Sequence, residues 1–113
     1  DLADARVRYQ AALRVFRNPA LLLGEAHALR GMAVVTLGEG MFSAAMDEAK
    51  TSQAAYQVCL ESVEKSSLND KAKRKLTDEA RDGLGNALLI ESDVLNRIGR
   101  SSEAEAVLEK SRA

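Results

Sequence analysis

Apolar residues recur at every third or fourth position along almost the whole chain, in five segments that short breaks separate. This spacing places apolar side chains on one face of an α-helix, whereas a half-buried strand would alternate apolar and polar residues. Each break contains the glycine, proline, asparagine or serine that is typical of helix ends. We therefore predict an all-α domain with about five helices, over residues 1–17, 20–38, 41–66, 70–98 and 101–112.

The composition agrees with a helical fold and with one domain. Of the 113 residues, 46% are apolar and 29% are charged, whereas only 4% are aromatic. The frequent residues are alanine, leucine, glutamate and arginine, which favour helix over strand. We expect a single domain over residues 1–113, since a chain of this length can bury a real core. Because the first residues, DLADARVRY, are already in helical register, we also expect a piece of a longer protein.

The charges are balanced and spread along the chain. There are 16 basic and 17 acidic residues, which give a net charge of −1. Such a balance offers no one-signed surface to nucleic acid or to a membrane. The one dense basic run, KAKRK, is followed closely by DEARD, which cancels its field. No apolar run approaches the ~20 residues that span a bilayer. We therefore expect neither nucleic-acid nor membrane binding.

Neither the single histidine nor the single cysteine indicates chemistry. His27 has no second histidine or nearby cysteine with which to hold a metal ion. Cys59 lies on an apolar stripe with Tyr56 and Leu60, where free cysteine is usually buried and inert. We expect no catalytic residue, no metal and no cofactor. One unpaired cysteine is compatible with a reducing compartment, so we expect a cytoplasmic protein.

Glycines interrupt two of the predicted helices, at Gly31 and at Gly83 and Gly85. An interior glycine costs a helix roughly 1 kcal/mol against alanine, and it lets a neighbouring helix approach closely. The GLG of residues 83–85 follows no strand and lacks the spacing of a phosphate-binding loop. We therefore expect packing contacts at Gly31 and Gly85.

At this point the chain resembles the tetratricopeptide repeat (TPR) family. EARDGLGNALL is similar to the first helix of a repeat, with Leu84 and Gly85 as its large and small pair, and GEAHALRGMAVVTLGEG is similar to another, with Gly31 as the small residue. The small-large-small pattern of the second helix occurs in ADARVRYQAAL and, less completely, elsewhere. The resemblance implies packing roles for Gly31, Gly85, Ala5, Tyr9, Ala45 and Ala104.

The same resemblance implies a fold in which antiparallel helical hairpins stack as a short right-handed superhelix. The repeats here are longer than the family's 34 residues, because Ala5 to Ala45 is 40 positions and Ala45 to Ala104 is 59. A plain bundle of four or five helices is the alternative fold.

In the TPR family, ligand peptides lie along the concave surface that the first helices form. The resemblance therefore implies a non-catalytic scaffold that binds a peptide or helical segment of a partner protein, within a larger adaptor or regulator. Asn86, directly after Gly85, resembles the family's groove asparagine. The residues implied for the partner-binding face are Glu25, Ala28, Met32 and Val35 in the central repeat and Glu79, Asp82, Asn86 and Leu89 in the final one.

The alternative function is helical self-association. A repeat array without terminal caps leaves apolar edges, here around Leu2, Tyr9 and Phe16 at one end and Val107 and Leu108 at the other. Those edges, or the overlong helices, could build a homodimer.

Overall fold

The computed structural model describes Asp4 and residues 18–112. This part of the chain contains no strand, so the all-α prediction is confirmed for it. The predicted helix over residues 1–17, with Ala5 and Tyr9, lies outside the described residues apart from Asp4. Each of the other four predicted helices is found within two residues of its predicted ends. The helices are α1 (Pro19–Gly38), α2 (Phe42–Lys65), α3 (Asp70–Arg97) and α4 (Ser101–Arg112).

Local sequence sets the helix ends. Asn18 caps α1, since its side-chain oxygen accepts a hydrogen bond from the Ala20 amide at 3.0 Å. Pro19 has no N–H group, and none is needed at the first position of a helix. Asn69 caps α3 in the same way, through the Ala72 amide at 2.8 Å. Gly40 follows α1 with a φ of 78°, a left-handed conformation that glycine adopts freely and other residues rarely do.

The helices pack in sequence order, and α1 also contacts α3. Short connections make consecutive helices antiparallel, so α1 and α3 run in the same direction. Accordingly the N-terminal ends of α1 and α3 lie together, where Pro19 and Ala72 line one cavity. The pair formed by α1 and α3 therefore presents two parallel helices with a groove between them.

Alanines allow this close packing. Eight of the described alanines are at most 1% exposed, and their small methyl groups let two helix backbones approach. The larger core side chains, Tyr56, Leu22 and Val63, fill the space that remains. Ser52 and Ser92 are also buried, and their hydroxyls donate across helices to the carbonyls of Ala26 and Ala104. The eight alanines are Ala26, Ala33, Ala45, Ala49, Ala55, Ala80, Ala87 and Ala104.

The close approach predicted for a glycine occurs at Gly83. A methyl group added to Gly83 would overlap the ring of Tyr56, which is fully buried. At Gly31, which is exposed, no described atom lies within 4 Å of the position of a Cβ, so the described residues make no close contact there. Gly85 is intermediate, since its Cβ would meet only the Ser111 carbonyl oxygen at 3.6 Å, an ordinary contact. The residue under a large neighbouring side chain is therefore Gly83, two positions before the predicted one.

Helix α1 is apolar on both sides. Its inner face is buried through Leu22, Leu23 and Ala26, whereas Leu21 and Val35 are 47% and 62% exposed on the outside. By length and composition α1 could cross a membrane, with a mean hydropathy of 1.3 over an 18-residue window. The core helix of a soluble protein can have the same length and hydropathy, so this alone does not indicate insertion into a membrane. Only 28% of the window is buried, so much of its surface has no described partner.

Candidate functional site

A cavity of about 500 Å³ opens between the N-terminal ends of α1 and α3. Its walls are mainly apolar, through Pro19, Leu23 and Leu76, and Leu68 of the α2–α3 connection closes one side. Polar groups border it at Asn18, His27, Lys75 and Glu79. An apolar cavity with a few converging polar groups is the usual form of a binding site. We call this cavity the α1–α3 pocket.

A partly buried polar pair, His27 and Tyr56, borders the pocket. The Tyr56 hydroxyl lies 2.5 Å from Nδ1 of His27, and the two rings meet edge to face with centroids 5.4 Å apart. Tyr56 comes from α2, His27 from α1 and the glycine beneath the ring, Gly83, from α3. A single aromatic side chain therefore fixes the relative position of three helices.

Burial and the nearby Arg30 guanidinium lower the pKa of His27, while Glu79 acts in the opposite direction. His27 is therefore neutral at pH 7. In the tautomer that carries its proton on Nε2, Nδ1 accepts the hydrogen bond of the Tyr56 hydroxyl. Burial also raises the pKa of Tyr56, so its hydroxyl keeps the proton that it donates.

The predicted partner-binding residues of α3 continue from the pocket along one flank of the helix. Glu79 borders the pocket and influences His27, which places it on the side of α3 that faces α1. Asp82 and Asn86 follow at three and seven positions, on the same side of the helix. Leu89 extends the line with 45% of its surface exposed. All four residues are accessible to a partner.

The predicted partner-binding residues Glu25 and Met32 of α1 do not face these residues of α3. Glu25 and Met32 lie on the flank of Thr36, at spacings of eleven and four residues. The Thr36 hydroxyl donates to Glu48 of α2 at 3.0 Å, so this flank faces α2 rather than α3. This corrects the implied groove at Glu25 and Met32, which are exposed on the side of α1 away from α3.

The flank of α1 that does face α3 begins at His27. Gly31 and Val34 lie four and seven positions further on, beside the stretch of α3 from Asp82 to Asn86, because α1 and α3 run in parallel with equal rise. Both are exposed, and Val34 has 54% of its surface uncovered. Ala28 and Val35 point outward from the helix pair and are exposed as well. The groove is thus acidic and amide-bearing on α3 and apolar on α1.

A second cavity of about 580 Å³ lies between α2, α3 and α4. Lys50 and Lys110 stand at its border, with Leu84 and Leu88 in its wall. The side chains of Gln53 and Glu91 within it bond to each other at 2.8 Å. This cavity is more polar than the α1–α3 pocket. The Glu91 carboxylate in it already accepts a hydrogen bond from the Gln53 amide.

The described residues hold no cluster of three metal-ligating side chains. Burial raises the pKa of Cys59 to about 11, so its thiol is protonated at neutral pH. The thiol donates to the Pro19 carbonyl at 3.4 Å inside the core. Cys59 of α2 is therefore a structural residue that packs against the start of α1.

Sequence reasoning missed the centre of this site. His27, Tyr56 and Gly83 are 29 and 27 positions apart, and no local pattern connects them. One signal was available in the sequence. Tyr56 is the single large aromatic residue among small ones in TSQAAYQVC, which indicates a side chain that reaches between neighbouring helices.

Comparison with protein-family models, with curated proteins and with solved structures found no match to this chain. The groove and its chemistry are therefore the basis of any function assigned to it.

Proposed function

We propose that the protein is a non-catalytic interaction scaffold, similar to TPR domains, which binds a peptide or helical segment of a partner protein in the groove between α1 and α3. The observation that carries the proposal is the continuity of the α1–α3 pocket with the exposed line of Glu79, Asp82, Asn86 and Leu89. We place the domain within a larger adaptor or regulator in a reducing compartment such as the cytoplasm.

The packing order supports the comparison with TPR domains. Two hairpins, α1–α2 and α3–α4, stack so that their first helices touch. In the family the first helices form the ligand-binding surface, and here they form the groove. Ala45 and Ala104, the small residues at corresponding positions of the two second helices, are buried where the helices meet.

The pocket would take one large apolar side chain of the partner. Its walls at Leu23, Leu68 and Leu76 offer apolar surface, and burial of apolar area is the main favourable term in association. Further along, Glu79 and Asp82 would favour a lysine or arginine of the partner, through charge-assisted hydrogen bonds. The Asn86 amide can both donate to and accept from a peptide backbone. The partner segment is therefore amphipathic and basic.

Catalysis is not part of the proposal. The Tyr56 hydroxyl already bonds to His27, and Tyr56 itself has no exposed surface. A general acid or base must reach the proton that it transfers, and the Tyr56 hydroxyl lies inside the core, where it is engaged with His27.

Selection of peptides from a displayed random library against the full chain tests the proposal. Selected peptides should share one large apolar residue close to one or more basic residues. The double variant Glu79→Lys/Asp82→Lys should weaken their binding by about tenfold or more, which corresponds to about 1.4 kcal/mol. The matched control Glu61→Lys/Glu64→Lys makes the same change in charge on exposed positions of α2 and should leave the affinity unchanged. Equal losses in both double variants, with helicity retained by circular dichroism, would show that the groove is not the binding surface.

A further inference from the structure

The cavity between α2, α3 and α4 lies in a second groove of the molecule. Helices α2 and α4 both contact α3 but not each other, and they run in the same direction because each is antiparallel to α3. They therefore form two walls, with α3 as the floor. We call this groove the α2–α4 groove.

The α2–α4 groove is separate from the α1–α3 groove. Among the described residues, none that lines its cavity also lines the α1–α3 pocket. Leu84 of its floor is five positions from Glu79, which places the two residues about 140° apart around α3 at about 100° per residue. A ligand in one groove therefore leaves the other one open.

The floor of the α2–α4 groove is apolar and continuous with the core. Leu84 and Leu88 are half-buried, and each packs against a cluster of buried core residues. Ala54 of α2 adds apolar surface to one wall. An apolar side chain placed between the walls would bury the exposed surface of both leucines, and such burial is the main favourable term in association.

The borders of the α2–α4 groove are basic. Lys50 stands on the α2 wall and Lys110 on the α4 wall, so that the two leucines lie between them. Within the part of the chain that the structure describes, neither lysine forms an ion pair. Gln57 adds an exposed side-chain amide to the α2 wall. The groove therefore offers hydrogen-bond donors around an apolar floor.

One acidic residue, Glu91, opposes this charge. Nε2 of Gln53 donates to its carboxylate at 2.8 Å, so one of its oxygens already has a partner. The charged residues that line the cavity are two lysines and one glutamate, which leave a net charge of +1. By contrast, Glu79 and Asp82 make the α3 flank of the α1–α3 groove acidic.

We infer that the α2–α4 groove is a second docking surface, which takes an acidic segment of a partner protein with one large apolar residue. The apolar residue lies on Leu84 and Leu88, and carboxylates on either side of it bind Lys50 and Lys110 through charge-assisted hydrogen bonds. On α2 the lining runs from Lys50 to Gln57, about 10 Å at 1.5 Å per residue. Two turns of an amphipathic helix cover that length, as in other complexes that hold a helix in a groove.

Selection of peptides from a displayed library rich in aspartate, glutamate and apolar residues, against the full chain, tests the inference. The double variant Lys50→Glu/Lys110→Glu should weaken binding of the selected peptides by about tenfold or more, because each carboxylate then faces a like charge. The matched control Lys65→Glu/Lys71→Glu makes the same change in charge at exposed positions that line neither cavity, and it should leave the affinity nearly unchanged. Circular dichroism checks that both variants stay helical. Equal losses in the two variants would mean that the peptides respond only to net charge, and would overturn the inference.

A second pair of variants tests the apolar part of the groove and separates it from the α1–α3 pocket. Ala54→Phe places a large side chain in the wall of the α2–α4 groove and should weaken the same peptides about tenfold. Ala72→Phe does so in the α1–α3 pocket and should leave their affinity unchanged. The opposite result, with both variants folded, would place the acidic peptides in the α1–α3 pocket and overturn the inference. So would a library that yields no acidic binder, or binding of sodium octanoate without binding of any peptide. None of these failures bears on basic peptides in the α1–α3 groove.

Discussion

Gly83 and Gly31 each interrupt a long helix, yet their surroundings are opposite. Gly83 is buried, and the Tyr56 ring occupies the space where a methyl group would be. Gly31 is exposed, with no described atom near the position of its Cβ. An interior glycine in a sequence therefore does not by itself indicate a close contact. The position of the neighbouring helices decides whether the space beside it is filled.

The first way to test the difference is Gly83→Ala. The added methyl group must displace the Tyr56 ring, and such overpacking costs about 1–3 kcal/mol in the free energy of unfolding, which outweighs the gain of about 1 kcal/mol in helix propensity. Urea denaturation measures the net change in the free energy of unfolding. Gly85→Ala is the matched control in the same helix, because its Cβ would make only an ordinary contact, and it should raise stability. A stabilised Gly83→Ala variant would contradict the packing of Tyr56.

Tyr56→Phe isolates the hydrogen bond from the packing. The variant keeps the ring but leaves Nδ1 of His27 without its partner, so the free energy of unfolding should fall by about 1 kcal/mol. A double-mutant cycle with His27→Gln provides the check, since the two losses should be less than additive. Additive losses would mean that the two side chains do not interact.

The pH dependence of stability should reveal the neutral state of His27. Its pKa in the folded chain lies below the ordinary value of 6.5, so between the two values the unfolded chain binds more protons. Stability therefore rises with pH across this range and is lost as pH falls through about 6.5 towards the folded pKa. The groups that face the imidazole are Tyr56, Arg30 and Glu79.

Urea midpoints measured from pH 5 to pH 8 for the wild type and His27→Gln check this expectation. The His27→Gln variant should show a flatter profile. If both profiles have the same slope, the dependence belongs to other groups.

Gly31→Ala is the smallest expected change. It gains helix propensity, and no described atom lies within 4 Å of the Cβ that it adds. Its free energy of unfolding should therefore rise by at most about 1 kcal/mol, as measured by urea denaturation. A loss of stability would contradict the open surroundings of Gly31.

Several features of the fold followed from local sequence. Asn69 and the LGEG and IGRSS breaks identified helix ends because capping needs particular residues at fixed offsets. Glu79, Asp82 and Asn86 were implied by the resemblance to TPR first helices, and they share one flank of α3 because they are three and four residues apart. Glu25 and Met32 were misplaced, because that period gives positions around one helix but not the direction of its neighbour. Likewise, the contact between Tyr56 and Gly83 depends on how three helices stack, which no local pattern records.

The most direct test of the proposed function is to fill the α1–α3 pocket and measure binding of a library-selected peptide by titration calorimetry. Ala72→Phe places a large side chain in the pocket wall, and Ala106→Phe makes the same change at an exposed position of α4. Ala72→Phe should weaken the peptide's affinity by about tenfold or more, equivalent to about 1.4 kcal/mol, while Ala106→Phe leaves it unchanged and both variants retain the wild-type unfolding midpoint. An unchanged affinity in a folded Ala72→Phe variant would contradict the assignment of the pocket as the anchor site.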